Sequence, residues 1–175
     1  MGKQFLMLLA AIASVVIAID SGPARAATVN IVAFGASNTA GKGVGTGYAF
    51  PARLEALLRA KGYDANVANA GISGDTTSGM LSRLDSAVPN GTQIVLLAIY
   101  RLNDGRQGIS DAEHAANKQA IVSRLRARSI TIIPVDIRGL PTQRDNIHLT
   151  AESHEAVAAR LLPQVIRAIG ASGGH

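Results

Sequence analysis

Apolar residues occur along the chain in short continuous runs that alternate with longer stretches of helical periodicity. Three runs rich in β-branched side chains, at 28–34, 93–99 and 130–135, predict strands that are buried on both faces of a parallel sheet. A shorter run at 66–69 predicts a further strand. The stretches between them predict helices that begin at Pro51, cover 77–87, extend from Asp111 to Arg128, and extend from the N-cap Thr150 to Ile169.

This alternation of strands and helices predicts an α/β fold, in which helices cover both faces of the sheet. Ligands of such folds bind beyond the carboxyl ends of the strands. Polar residues follow each predicted strand at this edge, in the segments 35–39, 69–76, 103–105 and 145–148. The chemistry of the chain is therefore expected in these loops.

Residues 1–26 have the pattern of a signal peptide. Lys3 precedes the apolar run 5–19, which is shorter than the roughly 20 residues that span a bilayer. Ala24-Arg25-Ala26 supplies the small residues of a signal-peptidase site. We expect a periplasmic or secreted protein without stable membrane insertion after cleavage, and a retained membrane anchor is the alternative. The mature domain is predicted to cover 27–170, followed by a flexible tail at 171–175.

The amino-acid composition excludes several kinds of catalytic and binding site. In a chain of 175 residues, 47% hydrophobic and 17% charged side chains predict one folded domain rather than a disordered protein. The absence of cysteine excludes thiol nucleophiles and disulfides, and the four histidines lack the spacing of a metal site, so no metal is expected. The net charge of +5 is scattered rather than concentrated on one face, so no nucleic-acid partner is expected.

The glycine-rich segment 35–47 departs from the common nucleotide-binding motifs. Five residues rather than four separate Gly35 from Gly41, and Gly43 stands where a P-loop needs Ser or Thr. Thr46 replaces the last glycine of G-x-G-x-x-G. Thr39 likewise replaces the last glycine of the G-x-S-x-G elbow. Nucleotide binding is therefore disfavoured.

Catalysis by a serine nucleophile fits the loops better. Ser37 follows the first strand, and Asp145 lies three residues before His148, so the carboxylate can orient the imidazole that takes the serine proton. Acyl transfer also needs donors for an oxyanion. The Ser37 amide, the Gly74 amide and the Asn103 side chain come from three strand ends and are predicted to form that oxyanion hole.

Four blocks of the sequence resemble those of the SGNH (GDSL-type) hydrolases. They are Phe34-Gly-Ala-Ser-Asn38, Asn69-Ala-Gly-Ile-Ser-Gly-Asp-Thr76, Asn103-Asp104 and Asp145-x-x-His148. They lie within about 28–168 and are most similar to the bacterial exported thioesterases, arylesterases and lysophospholipase-like enzymes. The resemblance implies a flavodoxin-like three-layer α/β/α fold, the same catalytic and oxyanion residues, a small-molecule ester or thioester substrate, and no metal or organic cofactor.

Three departures from the family pattern fall in the same loops. Ala36 replaces the family's Asp beside the nucleophile, which removes a polar contact. Arg101 and Leu102 replace glycines, so bulky side chains are expected to tilt Asn103 or crowd the substrate. Only 104–144 separate Asn103 from the Asp–His block, which leaves room for one helix and one strand. We therefore expect a small sheet of four or five strands and a shallow, open acyl site.

The leading interpretation is a serine hydrolase that cleaves esters or thioesters through an acyl-enzyme. Two alternatives are a degenerate member that binds an acylated or glycan ligand without turnover, and a carbohydrate deacetylase on the same fold. Ser73 is the alternative nucleophile.

Other polar residues have structural explanations. His114 and His154 lie in helical patterns and are expected at the surface. Asp75 and Asp104 are expected to accept hydrogen bonds from loop amides, and Arg101 either meets an anionic substrate group or faces solvent.

Overall fold

A parallel four-stranded sheet forms the centre of the computed structural model, which describes residues 28–172. Its strands are β1 (Val29–Gly35), β2 (Ala65–Gly71), β3 (Ile94–Ala98) and β4 (Thr131–Pro134), in the spatial order β2-β1-β3-β4. The strands predicted from the sequence are present, with bounds shifted by one or two residues. Because all neighbours pair in parallel, the carboxyl ends of the strands reach the same edge of the sheet.

Helices cover both faces of this sheet. In chain order they are α1 (Ser37–Ala40), α2 (Phe50–Ala60), α3 (Thr77–Ser82), α4 (Leu84–Ala87), α5 (Arg101–Arg106), α6 (Asp111–Ala127) and α7 (Ala151–Ser172). α2 and α7 pack on one face, and α3, α4 and α6 pack on the other. The three-layer α/β/α arrangement is the one that the resemblance implied.

The two cores follow from the alternation of side chains along the strands. Ile31 and Ala33 of β1 face α2 and α7, whereas Val32 and Phe34 face the opposite layer. All four are at most 3% exposed, so β1 is buried on both faces from Ile31 to Phe34, beyond the exposed Asn30 near its start. This explains why its sequence is continuously apolar from Ile31 to Phe34.

The predicted signal peptide at 1–26 lies outside the described residues, as do 173–175 of the predicted tail. Within 28–172, no helix has the length and apolarity to cross a membrane.

Two predicted elements differ from the structure. The single helix predicted at 77–87 is two short helices, α3 and α4, that meet at Arg83. The segment 103–105, predicted as a loop, lies within α5, where the buried Asp104 carboxylate is hydrogen-bonded instead of forming a turn with its own backbone.

The prediction that His154 lies at the surface is wrong, and His114 is partly buried, with 17% of its side chain exposed. His154 is 0% exposed, because it lies three residues before Val157 on the inward stripe of α7. Its Nδ1 accepts a hydrogen bond from the Phe50 amide at 3.2 Å, in the first turn of α2. His154 therefore joins the two helices that follow the Ser37 loop and the His148 loop, respectively.

We predict that this histidine makes the fold acid-sensitive. Burial lowers the pKa of His154, so the folded chain resists protonation that the unfolded chain accepts below a pKa of about 6.5. Stability is therefore highest above that value and declines as the pH falls towards the lowered pKa of the folded state. Thermal unfolding from pH 8 to 5 should show a fall in Tm that is smaller in His154→Asn. Parallel pH profiles for the two proteins would contradict this account.

Candidate active site

A cleft of about 380 Å³ opens at the carboxyl edge of the sheet. Ser37 and Asn103 both line it, so two predicted site residues from different strand ends are brought together. Most of its exposed surface is apolar, although polar residues such as Asp75 and Thr142 also line it; the large apolar side chains are Met80, Ile99, Leu102, Ile137 and Ile147. Its shape and lining suit an uncharged organic group next to a few polar groups.

Ser37 is the first residue of α1, directly after the end of β1. The turn is closed by the Ala36 carbonyl, which accepts hydrogen bonds from the amides of Thr39 (3.1 Å) and Ala40 (3.0 Å). Glycine is required just before it, since a Cβ at Gly35 would lie 2.3 Å from Thr39 Oγ1 and 2.8 Å from Ala98 Cβ. The sharp turn that presents Ser37 therefore depends on glycine at 35.

Asp145 and His148 form a tight unit. The carboxylate accepts hydrogen bonds from the amides of Ile147 (2.9 Å) and His148 (3.0 Å), and its second oxygen bonds His148 Nδ1. These bonds, led by that from the His148 amide, hold the pKa of the Asp145 carboxyl well below its ordinary range. The imidazole thus lies beside an ionised carboxylate, with Nε2 as its remaining ring nitrogen.

No hydrogen bond joins the His148 ring to Ser37 in the described part of the chain, and the ring is not part of the cleft lining, although Ile147 is. The two loops are joined instead by Asn38. Its Oδ1 accepts from the Leu149 amide at 2.9 Å, and its Nδ2 donates to the Ile147 carbonyl at 3.3 Å. Asn38 was not among the predicted site residues.

The other two predicted oxyanion donors are coupled to each other. Asn103 Nδ2 donates one hydrogen bond to the Asp75 carbonyl at 2.8 Å and has a second N–H left for the cleft. Gly74 has φ +82°, a conformation that favours glycine, and its carbonyl accepts from Gln107 Nε2 at 3.1 Å. α5 and its C-cap residue Gln107 therefore brace the Gly74–Asp75 loop, each through one side chain.

Arg83 is a second residue that sequence reasoning missed. Its guanidinium donates to Asp75 Oδ2 (2.7 Å), the Ala70 carbonyl (2.9 Å) and the Gly35 carbonyl (3.1 Å). It also lies 4.6 Å from the centre of the Phe34 ring. One cation therefore ties the ends of β1 and β2 to the loop after β2. Its position three residues after Met80, on the inward face of the predicted helix, was the available signal.

The expected bracing role of Asp104 is confirmed. This residue is 0% exposed and accepts hydrogen bonds from the Thr77 amide (2.8 Å) and hydroxyl (2.5 Å). His114 Nδ1 lies 2.9 Å from Oδ2, the carboxylate oxygen that also accepts from the Thr77 hydroxyl, and this contact accounts for the partial burial of that histidine. Burial raises the pKa of the Asp104 carboxyl, but the Thr77 and His114 contacts outweigh it, and the pKa is lowered.

Arg101 and Ser73 both lie apart from the cleft. Arg101 bonds Asp111 and the Ile109 carbonyl, so its guanidinium is held away from Asn103. Leu102 lines the cleft and is 45% exposed. Ser73 is exposed and is not part of the lining.

The described residues contain no group of three or more acidic or histidine side chains placed to hold a metal ion.

The chain belongs to the GDSL-like Lipase/Acylhydrolase family, a family of ester-hydrolysing enzymes, whose model matches residues 33–172. That range includes β3, β4, the helices of both layers and the whole cleft. The family assignment agrees with the resemblance carried by the sequence blocks.

Named relatives support this membership. The chain is 30% identical to Esterase TesA of Pseudomonas aeruginosa over 156 residues, which cover 86% of this chain and 77% of the relative. It is 28% identical to an arylesterase of Vibrio mimicus over 67% of this chain and 59% of that protein. The psychrotrophic esterase EstA of Pseudoalteromonas sp., solved in a form inhibited by monoethylphosphonate, shares the fold with a TM-score of 0.69 at 19% identity, covering 81% of this chain and 98% of its own.

The bracing role of Arg83 predicts a large stability loss on its removal. The Arg83–Asp75 pair is 17% and 10% exposed, so Arg83→Met leaves a largely buried carboxylate without its ion-pair partner and removes one hydrogen bond from each of two carbonyls. We expect the free energy of unfolding in urea to fall by roughly 3 kcal/mol. Arg124→Met is the matched control, because Arg124 and Asp85 are 46% and 71% exposed, and this change should cost less than about 1 kcal/mol. Equal losses in the two variants would contradict the bracing role.

Proposed function

We propose that this protein is a serine esterase that cleaves carboxylic esters and thioesters through an acyl-enzyme on Ser37. His148 is the general base and Asp145 orients it. One observation carries the proposal: the segment that fixes His148 to an ionised Asp145 is hydrogen-bonded to Asn38, the residue next to Ser37. Nucleophile, base and orienting carboxylate thus lie on two loops that are physically joined.

The proposed reaction has two halves. Ser37 Oγ attacks the carbonyl carbon of the ester while its proton passes to His148 Nε2, and the carbonyl oxygen becomes an oxyanion. When the tetrahedral intermediate collapses, the carbon–oxygen or carbon–sulfur bond breaks, and the alcohol or thiol leaves with the proton from Nε2. Water then attacks the acyl-enzyme by the same route, releasing the carboxylic acid and restoring Ser37. The oxyanion would be received by the amides of Ser37 and Gly74 and by Asn103 Nδ2.

The cleft favours a neutral acyl group. Most of its exposed surface is apolar, and its acidic residue, Asp75, is already paired with Arg83. The Tyr100 hydroxyl donates to the Val135 carbonyl at 2.9 Å, and burial raises its pKa, so it stays neutral. An anionic acyl chain would enter the cleft without a partner for its charge.

Two contacts argue for turnover rather than for a degenerate binding protein. The bulky replacements before Asn103 leave its side chain in the cleft, because Arg101 is turned towards Asp111. The turn that lacks the family's acidic residue at Ala36 is held by Asn38 and Arg83. The departures at Arg101 and Ala36 are thus accommodated by other contacts, whereas Leu102 lines the cleft.

A fluorophosphonate probe tests the assignment without knowledge of the natural substrate. It reacts only with a serine that has both an activating base and donors for the phosphoryl oxygen. We expect one label, on the peptide that contains Ser37, and none in Ser37→Ala. His148→Ala should slow labelling by orders of magnitude while its circular dichroism stays unchanged.

Ser73→Ala is the matched control, because this exposed serine lies next to Gly74 yet apart from the cleft. It should be labelled at the wild-type rate. A wild-type protein that is not labelled, or that is labelled at Ser73, would overturn the proposed mechanism.

The oxyanion role of Asn103 has a separate kinetic signature. Because the donor acts on charge that develops in the transition state, Asn103→Ala should lower kcat by about 10²–10³ with little change in KM. Steady-state kinetics with p-nitrophenyl butyrate measures both constants. Gln107→Ala removes the other α5 contact to the same loop without removing a cleft donor, and it should keep kcat within a few-fold. A full kcat in Asn103→Ala would show that Asn103 is not an oxyanion donor.

A further inference from the structure

The segment that carries His148 has little regular structure to hold it in place. Between the end of β4 and the start of α7, residues 135–150 form no strand or helix and make one isolated bridge, Thr142–Leu149. Ser37, by contrast, follows the central strand of the sheet directly. The sheet therefore does not by itself set the distance between nucleophile and base.

Two side-chain amides anchor the segment: Gln143 Nε2 donates to the Lys42 carbonyl at 2.9 Å, and the Asn38 amide binds directly on either side of His148. The two hydrogen bonds of Asn38 go to the Ile147 carbonyl and the Leu149 amide, the backbone groups on either side of His148. A side-chain amide that donates and accepts in this way pairs with the loop as a neighbouring strand would. His148 cannot shift along the loop or rotate about it without breaking one of the two bonds.

The other end of this connection is rigid. Asn38 lies within α1, whose backbone is in close contact with β2: a Cβ at Gly71 would lie 2.3 Å from the Ala40 amide nitrogen. The movement of α1 relative to the sheet is therefore sterically restricted. Because α1 is held in place, the two hydrogen bonds of Asn38 also fix the position of His148.

We propose that Asn38 is a positioning residue for catalysis, which holds His148 in reach of Ser37 through the backbone on both sides of the imidazole. The inference rests on the proposed function, since it assigns Asn38 a role only if Ser37 and His148 are nucleophile and base. Asn38 takes no part in proton transfer and acts only by fixing the position of His148.

A double-mutant cycle on the rate of fluorophosphonate labelling tests this inference. In the wild-type background, Asn38→Ala should slow labelling of Ser37 by about 10- to 100-fold, the usual effect of a displacement of about 1 Å. In the His148→Ala background, the same change should alter the rate by less than about two-fold, because the group that Asn38 positions is already absent. With p-nitrophenyl butyrate, kcat should fall in proportion while KM stays nearly constant.

Two further variants separate positioning from loss of stability. Asn38→Asp keeps the size of the side chain and the acceptor for the Leu149 amide but sets a carboxylate oxygen against the Ile147 carbonyl, so it should also slow labelling of Ser37 although no packing volume is lost. Gln93→Ala removes a side-chain bond to the Asn30 amide at the opposite edge of the sheet, and it should lower Tm without slowing labelling.

The outcomes are distinguishable. If wild-type protein is not labelled on Ser37, the proposed function fails and the role of Asn38 fails with it. If wild-type protein is labelled and Asn38→Ala is labelled as fast, only the role of Asn38 is overturned. An equal slowing in the wild-type and His148→Ala backgrounds would also overturn it, because Asn38 would then act on Ser37 or on the fold.

Discussion

β1 lies inside the sheet, hydrogen-bonded to β2 on one side and β3 on the other, and the groups of the cleft are placed relative to its carboxyl end. Its continuously apolar residues are buried on both faces, so this end cannot move without disturbing both cores. Ser37 follows it within two residues. The loops after β2 and β3 reach the same edge because the strands are parallel.

Polar contacts fix the positions of the loops at this common edge. Arg83 ties the ends of β1 and β2 to the Asp75 loop, and Asp104 ties α5 to the start of α3. Each of these buried charges has several partners, which offsets the cost of removing it from water. The loop after β4 lacks such a charged anchor and is held by the neutral amides of Asn38 and Gln143, the latter donating to the carbonyls of Lys42 (2.9 Å) and Leu149 (2.8 Å).

The sequence predicted the features that depend on local pattern. The strands, the layer arrangement and the loops that form the cleft follow from periodicity, because burial on both faces leaves a continuous apolar run. Contacts between distant residues could not be predicted in this way. Asn38 and Leu149 are 111 positions apart, and Arg83 and Gly35 are 48 apart. The burial of His154 could have been predicted, since it occupies the same helical stripe as Val157 and Leu161. The polarity of histidine instead favours a surface position.

The most direct test of the account is a crystal structure of the protein after reaction with a phosphonate. We expect a bond between phosphorus and Ser37 Oγ, with the phosphoryl oxygen about 3 Å from the amides of Ser37 and Gly74 and from Asn103 Nδ2. His148 Nε2 should face the same adduct, with Asn38 still bonded on both sides of that residue. An adduct on another residue, or a phosphoryl oxygen that points away from these three donors, would contradict it.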